Sequence, residues 1–257
     1  MKYKGFDLSG KVAVVVGGTS GIGQTIGRGL AEAGADVIPT GRRAEMVDAA
    51  AKEIEALGQK SLRVCSDVHD RDSLQKFLDA VVEKFGKVDI LVNAAGITKR
   101  TPFLNVDEKE WNSILDTNLT GAYRVSQIVG KHMVERKYGR IVNIASLASF
   151  VGLHEVAAYT ASKAGLAGLT RSLAIEWARY GICVNAIAPG VFRTALNTKL
   201  LEGPRGQEFL VRTPLGRFGK VEELVGAAIF LASEAASFVT GTVLQVDGGL
   251  LASGVNQ

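Results

Sequence analysis

Short, strongly β-branched runs recur from one end of this chain to the other, and that rhythm limits its fold more than any other feature. They read KVAVVV (11–16), ADVIPT (35–40), SLRVC (61–65), VDILVN (88–93), GRIVNIAS (139–146), ICVNAIAP (182–189) and TVLQVDG (242–248), with amphipathic patterns between them. Runs that are apolar on successive residues suit strands covered on both faces. Their alternation with helices predicts an α/β chain: a doubly wound, seven-stranded parallel sheet with helices on both faces. No linker, repeat or shift in composition divides the 257 residues, so 1–257 reads as one domain. The least regular stretch, 190–219, carries Gly190, Gly203, Pro204, Gly206, Pro214, Gly216 and Gly219 and is expected to form a mobile substrate flap.

The first run leads directly into GGTSGIG (17–23) and then the helical pattern QTIGRGLAEAG. Glycines permit a tight turn and close backbone approach, and the new helix offers free N–H groups to a pyrophosphate. Strand, turn and helix in that order, with right-handed crossovers, point to a dinucleotide-binding Rossmann domain. The second run ends PTGRR (39–43), where an NAD enzyme would place an acid to bond the ribose hydroxyls. Gly41 stands there, followed by Arg42 and Arg43. Two arginines at a helix start are opposed by the dipole, so a nearby anion explains them better. A 2′-phosphate is such an anion, and NADP (NADPH) is therefore expected over NAD.

The segment AYTASKAG (158–165) puts a tyrosine and a lysine four apart among small residues. On a helix Tyr159 and Lys163 share a face. An ammonium beside a phenol, whose ordinary pKa is about 10, favours the phenolate and is expected to bring proton release toward working pH. That would make Tyr159 a general acid and base. Ser146, just beyond the GRIVNIAS run, lies at the carboxyl edge of the sheet, where a hydroxyl would hold the same carbonyl oxygen.

Together these segments resemble the short-chain dehydrogenase/reductase family across residues 8–252. The GGTSGIG turn matches that family's G-x-x-x-G-x-G, although Val16 stands where it usually has Thr. The resemblance implies catalytic roles for Asn118, Ser146, Tyr159 and Lys163, with Asn118 holding a water that relays protons. It implies a cofactor site built from Gly17, Thr19, Ser20, Gly21 and Ile22 at the pyrophosphate, and from Arg42 with Arg43 at the 2′-phosphate. Asp67 and Val68 would meet the adenine, while Asn93, Ala94 (where the family has Asn) and Gly96 would wall the ribose. Tyr159 and Lys163 would also belong to the cofactor site, and Pro189, Gly190, Val191 and Thr194 would hold the nicotinamide carboxamide. VDGG (246–249) has a structural role in the family.

The stretches GITKRTPF, RTPLGRFG and VDGGLLA resemble the branch containing gluconate 5-dehydrogenases and 2-dehydro-3-deoxygluconate dehydrogenases, with 3-oxoacyl-acyl-carrier-protein reductases as the alternative. Arg100, Ala148 and His154 are the substrate candidates, with Arg100 anchoring a carboxylate and Lys99 and Phe150 nearby. A nucleotide sensor would have no use for the four catalytic types together, and a nucleotide-sugar epimerase usually carries a larger C-terminal domain. The family resemblance further implies a homotetramer built through the helices bearing Asn118 and Tyr159 and through the C-terminal strand. Leu166, Leu169, Leu173 and Trp177 are expected to give the second helix its outward apolar face, and Trp111 and Trp177 to serve packing.

Composition narrows the partners to a small molecule. The net charge of +4 comes from interspersed charges, which argues against nucleic acid. Cys65 and Cys183 form no CxxC pair, so neither a zinc site nor a disulfide framework is expected, and a reducing cytoplasm fits. No apolar run reaches the roughly 18 residues of a membrane span.

Overall fold

A computed structural model describes residues 3–194 and 198–254. The order is β1 (Val12–Val16), α1 (Gly21–Glu32), β2 (Asp36–Thr40), α2 (Ala44–Ala56), α3 (Arg71–Phe85), β3 (Ile90–Asn93), α4 (Glu108–Leu115), α5 (Gly121–Arg136), β4 (Gly139–Ile144), α6 (Ala157–Trp177), β5 (Ile182–Pro189), α7 (Thr198–Leu201), α8 (Pro204–Arg212), α9 (Val225–Ala232) and β6 (Val243–Val246). The strands form one parallel sheet in the order β2-β1-β3-β4-β5-β6.

The unbroken apolar runs have the expected cause. In β1, Ala13 and Val15 enter one core with Ile26, Leu30 and Leu231, while Val12, Val14 and Val16 enter a second core with Phe77, Val129 and Met133. Each strand thus feeds both faces, and each fully buried Leu or Ile contributes about 1.5–3 kcal/mol.

The sheet has six described strands rather than the seven expected. Residues 60–66 do run beside β2, with Val37 N–H donating to Lys60 O (3.1 Å) and Ser66 N–H to Gly41 O (3.1 Å). The N–H groups of β2 that face this segment belong to odd-numbered residues, and the middle one is Pro39, which has no hydrogen to give. Side chains replace the missing ladder: Ser61 Oγ donates to Val37 O (2.7 Å) and Thr40 Oγ1 to Val64 O (2.7 Å). SLRVC is therefore extended edge chain without a regular strand.

The strand order reverses between β1 and β3, which opens a crevice outside their carboxyl ends. Register keeps those ends level, since Val16 pairs with both Thr40 and Asn93, and Asn93 with Asn143. The stretch 190–219 is more regular than its glycines suggested. It contains α7 and α8, and a bridge between Phe192 and Gly219 ties its two ends together.

Candidate active site

The turn after β1 is shaped by backbone contact. Gly17 has φ +79° and lies so close to the chain after β3 that a Cβ would stand 2.6 Å from Ala95 N. Gly23 presses on the same turn, where a Cβ would be 2.2 Å from Gly17 O. Gly21, by contrast, is exposed at φ +53° with open space before it. Ser20 is the N-cap of α1 but makes no side-chain cap bond, so the helix start is not closed by its own residues. A cradle of glycine backbone at an uncapped helix start fits a dinucleotide phosphate.

The neighbouring strand end completes that cradle. A Cβ on Gly41 would lie 3.1 Å from Thr19 Oγ1, so the phosphate turn and PTGRR are in contact. Arg42 and Arg43 are both exposed, and Arg43 is the N-cap of α2 without a side-chain bond. Asp67 has its Oδ1 engaged by His69, whose backbone N–H lies at 3.0 Å and ring Nδ1 at 2.7 Å. Burial works to raise the Asp67 pKa, but the two His69 hydrogen bonds and the Arg42 charge leave it below the ordinary value. Val68 is buried beside it, and its carbonyl accepts from Arg124 Nη1 (3.1 Å).

Asn93 departs from the expected ribose wall. Its side chain is buried, with Nδ2 donating to Ser126 Oγ (3.1 Å) and Asn143 Oδ1 (2.8 Å), and Asn143 passes the network to Thr170 Oγ1 (2.9 Å). The side chain ties β3 to β4, α5 and α6. The surface near the crevice comes from the backbone of Ala94 to Gly96 instead, and a Cβ on Gly96 would stand 3.4 Å from Asn118 Oδ1 and 3.5 Å from Lys163 Nζ.

All four expected catalytic residues gather at this edge. Asn118 sits on a π-helical turn, Asp116–Thr120, between α4 and α5. Its Oδ1 accepts from Ile97 N–H (2.8 Å), and its Nδ2 donates to Ile97 O (2.9 Å) and Ser162 Oγ (3.0 Å). Both amide hydrogens are thus committed to protein, while Oδ1, with one bond accepted, keeps a second lone pair. Ser162 Oγ donates in turn to Tyr159 O (2.7 Å), so the amide braces the first turn of α6.

Ser146 caps the short 3-10 turn Leu147–Ser149, accepting from Ala148 N–H at 3.1 Å, and its hydroxyl also reaches the Tyr159 phenol. Lys163 is buried with Nζ donating to Ile144 O (2.7 Å) and lying 5.6 Å from the centre of the Tyr159 ring. Its pKa falls to about 8 because burial penalises the ammonium. Tyr159 moves the other way: burial raises its pKa, and the Ser146 hydrogen bond only partly opposes this. The expected lowering by the neighbouring ammonium is not present, because the ammonium points to the end of β4 rather than at the phenolic oxygen.

At the other side of the crevice, Pro189 ends β5 and Gly190 N–H donates to Val246 O (2.9 Å). Val191 O accepts from Gly219 N–H (3.0 Å), and Thr194 O accepts from Thr198 Oγ1 (3.0 Å). Beyond Leu147 opens a cleft of about 870 Å3, bordered by Arg100, Leu153, His154, Arg205, Phe209 and Leu251. Arg100 Nε–H donates to the Glu155 carboxylate, and Lys99 is paired with Glu110 (2.6 Å). His154 is exposed at the rim, Ala148 is buried, and Phe150 is exposed. Ile97, Ser162 and Arg205 were not picked out in the sequence; Ser162, directly before Lys163, read there only as a small residue.

The outward face expected of α6 is also different. Leu166 is fully buried, and Leu173 and Trp177 pack against the core. Ile175, 83% exposed, is the large apolar residue that α6 turns to solvent.

The family described as Enoyl-(Acyl carrier protein) reductase matches residues 16–251. The chain is 43% identical over 249 residues to the gluconate 5-dehydrogenase of Gluconobacter oxydans (strain 621H), a match that covers 96% of this chain and 97% of that one. It is 42% identical over 255 residues to the 2-dehydro-3-deoxy-D-gluconate 5-dehydrogenase of Escherichia coli (strain K12), covering 98% and 100% of the two chains. The crystal structure of a gluconate 5-dehydrogenase from Burkholderia cenocepacia J2315 in complex with NADP and tartrate aligns with a TM-score of 0.94 at 39% identity, covering 97% and 98%.

Proposed function

The chain belongs to the short-chain dehydrogenase/reductase family, and on that premise we propose that it interconverts a carbonyl and a secondary alcohol on a sugar acid of the keto-gluconate type, using NADP(H). It is an oxidoreductase of the nicotinamide-dependent class. The observation that carries the substrate reading is the cleft of about 870 Å3 that begins at Leu147, the residue after Ser146, and is bordered by guanidinium groups. The cradle of Gly17, Thr19, Ser20, Gly21 and Ile22 would hold the pyrophosphate, and Arg42 with Arg43 the 2′-phosphate. Asp67 with Val68, the backbone of Ala94 to Gly96, and Pro189, Gly190, Val191 and Thr194 would line the remainder. Bound there, NADPH supplies a hydride and NADP accepts one.

The protein's own groups manage the oxygen and the proton. In reduction, Ser146 Oγ donates a hydrogen bond to the substrate oxygen while Tyr159 gives its phenolic proton to that oxygen as negative charge grows there. A raised phenol pKa keeps Tyr159 protonated and ready to donate at neutral pH. Lys163, poised near 8, returns a proton to the phenolate from a buried position. Asn118 holds the Ile97 backbone and, through Ser162, the turn that carries Tyr159. In oxidation the same proton path runs backward.

Support for a cytoplasmic enzyme comes from the exposed thiol of Cys65, and among the described residues no helix is long and apolar enough to cross a membrane. A homotetramer is consistent with Ile175 and the open surface at Gly168 on α6, both of which would be covered by a second copy. The test is turnover: with NADP, the purified protein should oxidise D-gluconate or 2-dehydro-3-deoxygluconate, followed by the absorbance of reduced nicotinamide. Reduction of an acetoacetyl thioester with no activity on any sugar acid would move the assignment to an oxoacyl reductase.

A further inference from the structure

Three arginines border the substrate cleft, Arg100 from one part of the chain and Arg205 and Arg212 from α8, and their surroundings differ. Arg100, on the loop after β3, already has a carboxylate partner in Glu155. Arg205, in the first turn of α8, is half-buried and has no ion pair among the described residues. Its Nη1–H donates to the His154 carbonyl (3.0 Å), and its guanidinium carbon lies 5.7 Å from the centre of the Phe209 ring. The acid closest to it on α8, Glu208, is instead paired with Arg212 (3.1 Å). Burial, and then the like charge of Arg100, push the Arg205 pKa down, and the charges of Glu155 and Glu208 only partly oppose this.

We propose that Arg205, rather than Arg100, binds the carboxylate of the substrate and sets the enzyme's preference for sugar acids over neutral polyols. This rests on the sugar-acid reading above. A guanidinium is a planar fork matched to a carboxylate, and this one is held ready: the His154 carbonyl fixes one nitrogen and the Phe209 ring lies 5.7 Å from the guanidinium carbon, while the remaining donors have no acceptor among the described residues. Pre-orientation lowers the ordering cost of binding. Arg100, locked to Glu155 beside His154, acts as a positioning residue for the loop whose carbonyl holds Arg205. Because the cleft begins at Leu147, next to Ser146, a chain anchored at Arg205 extends toward the groups that handle its hydroxyl.

The experiment compares D-gluconate with its uncharged amide in wild type, Arg205→Gln and Arg205→Lys. Loss of a charged hydrogen bond predicts that the ratio of kcat/KM for gluconate over amide falls about ten- to a hundredfold in R205Q, chiefly through KM. R205K, which keeps the charge without the fork, should fall in between. NADPH affinity, read by fluorescence titration, should stay within about twofold in both variants. An unchanged gluconate-to-amide ratio, or equal losses on both compounds with NADPH binding intact, overturns the role of Arg205. A wild-type enzyme that accepts no sugar acid refutes the substrate reading itself, before any variant is compared.

Discussion

Replacing Lys163 with Met should stabilise the free protein at neutral pH while abolishing its turnover. The buried ammonium has its pKa lowered from 10.5 to about 8, which corresponds to about 3 kcal/mol. The sign follows from proton counts. Between about pH 8 and 10.5 the unfolded chain binds a proton at this lysine that the folded chain has released, so wild-type stability rises with pH across that window. Below pH 8 the full penalty of the buried charge is present. Methionine has similar length and no charge, so it removes the penalty, but it leaves Ile144 O without the hydrogen bond now made at 2.7 Å, a loss of about 1–3 kcal/mol. The net gain at pH 7 is therefore roughly 0–2 kcal/mol. The pH dependence isolates the charge, because the Ile144 loss is the same at every pH: the stability difference between K163M and wild type should shrink by about 2–3 kcal/mol from pH 7 to pH 10. Urea unfolding at matched protein concentration, in parallel at both pH values, measures it. A difference that does not change with pH would refute the claim that burial of this ammonium strains the fold.

Other outcomes follow from single contacts. Tyr159→Phe should keep NADPH binding and cut turnover by about 100- to 10,000-fold, and a variant retaining most of its kcat would remove Tyr159 as the proton donor. Arg42→Asp should lower the ratio of catalytic efficiencies for NADP over NAD by about ten- to a hundredfold, checked by steady-state kinetics with both cofactors; an unmoved ratio would leave the exposed arginine pair without a ligand role. Gly17→Ala should cost about 2 kcal/mol or more and weaken NADPH binding, since a non-glycine residue at φ +79° is strained and its Cβ would meet Ala95 N at 2.6 Å. Wild-type melting and affinity in that variant would contradict the close approach.

How much of this could be read from the sequence depended on the reach of the interactions. The strands were legible because each apolar run feeds two cores, and Tyr159 with Lys163 because four residues make one helical turn. The seventh strand failed on one atom: Pro39 was counted as a β-strand residue, but its missing N–H points at the very segment that would have paired with it. Asn118 was found by type, yet its partner Ile97 lies 21 residues away, and no local pattern says that both amide hydrogens are taken. Arg100 and Glu155 are 55 residues apart, so the sequence offered an apparently free anchor where the fold supplies an ion pair. The outward face of α6 was misplaced because the helix carries apolar residues on most sides, and periodicity then cannot tell the core face from a subunit face.

The residues that the sequence disclosed best are those that fit their local surroundings worst. A lysine among alanines and glycines on a buried helix face, and arginines at a helix start, are poor choices for stability alone. Lys163 shows why such choices persist. Among the described residues its ammonium is held by a single carbonyl with no carboxylate paired to it, and burial brings its pKa down to about 8, within reach of the proton exchange proposed for Tyr159. An acid placed beside it would stabilise the charge and carry that pKa back up, out of the working range. The same reasoning applies at Arg205, where a neighbouring carboxylate would steady the fold and block the group from a substrate. Asn118 is the contrasting case: both of its amide hydrogens are taken by Ile97 and Ser162, and it braces the loop after β3 against α6. On the proposed reading, the site thus separates into groups left electrostatically incomplete, which would act on ligands, and groups engaged by the protein, which hold the first kind in place.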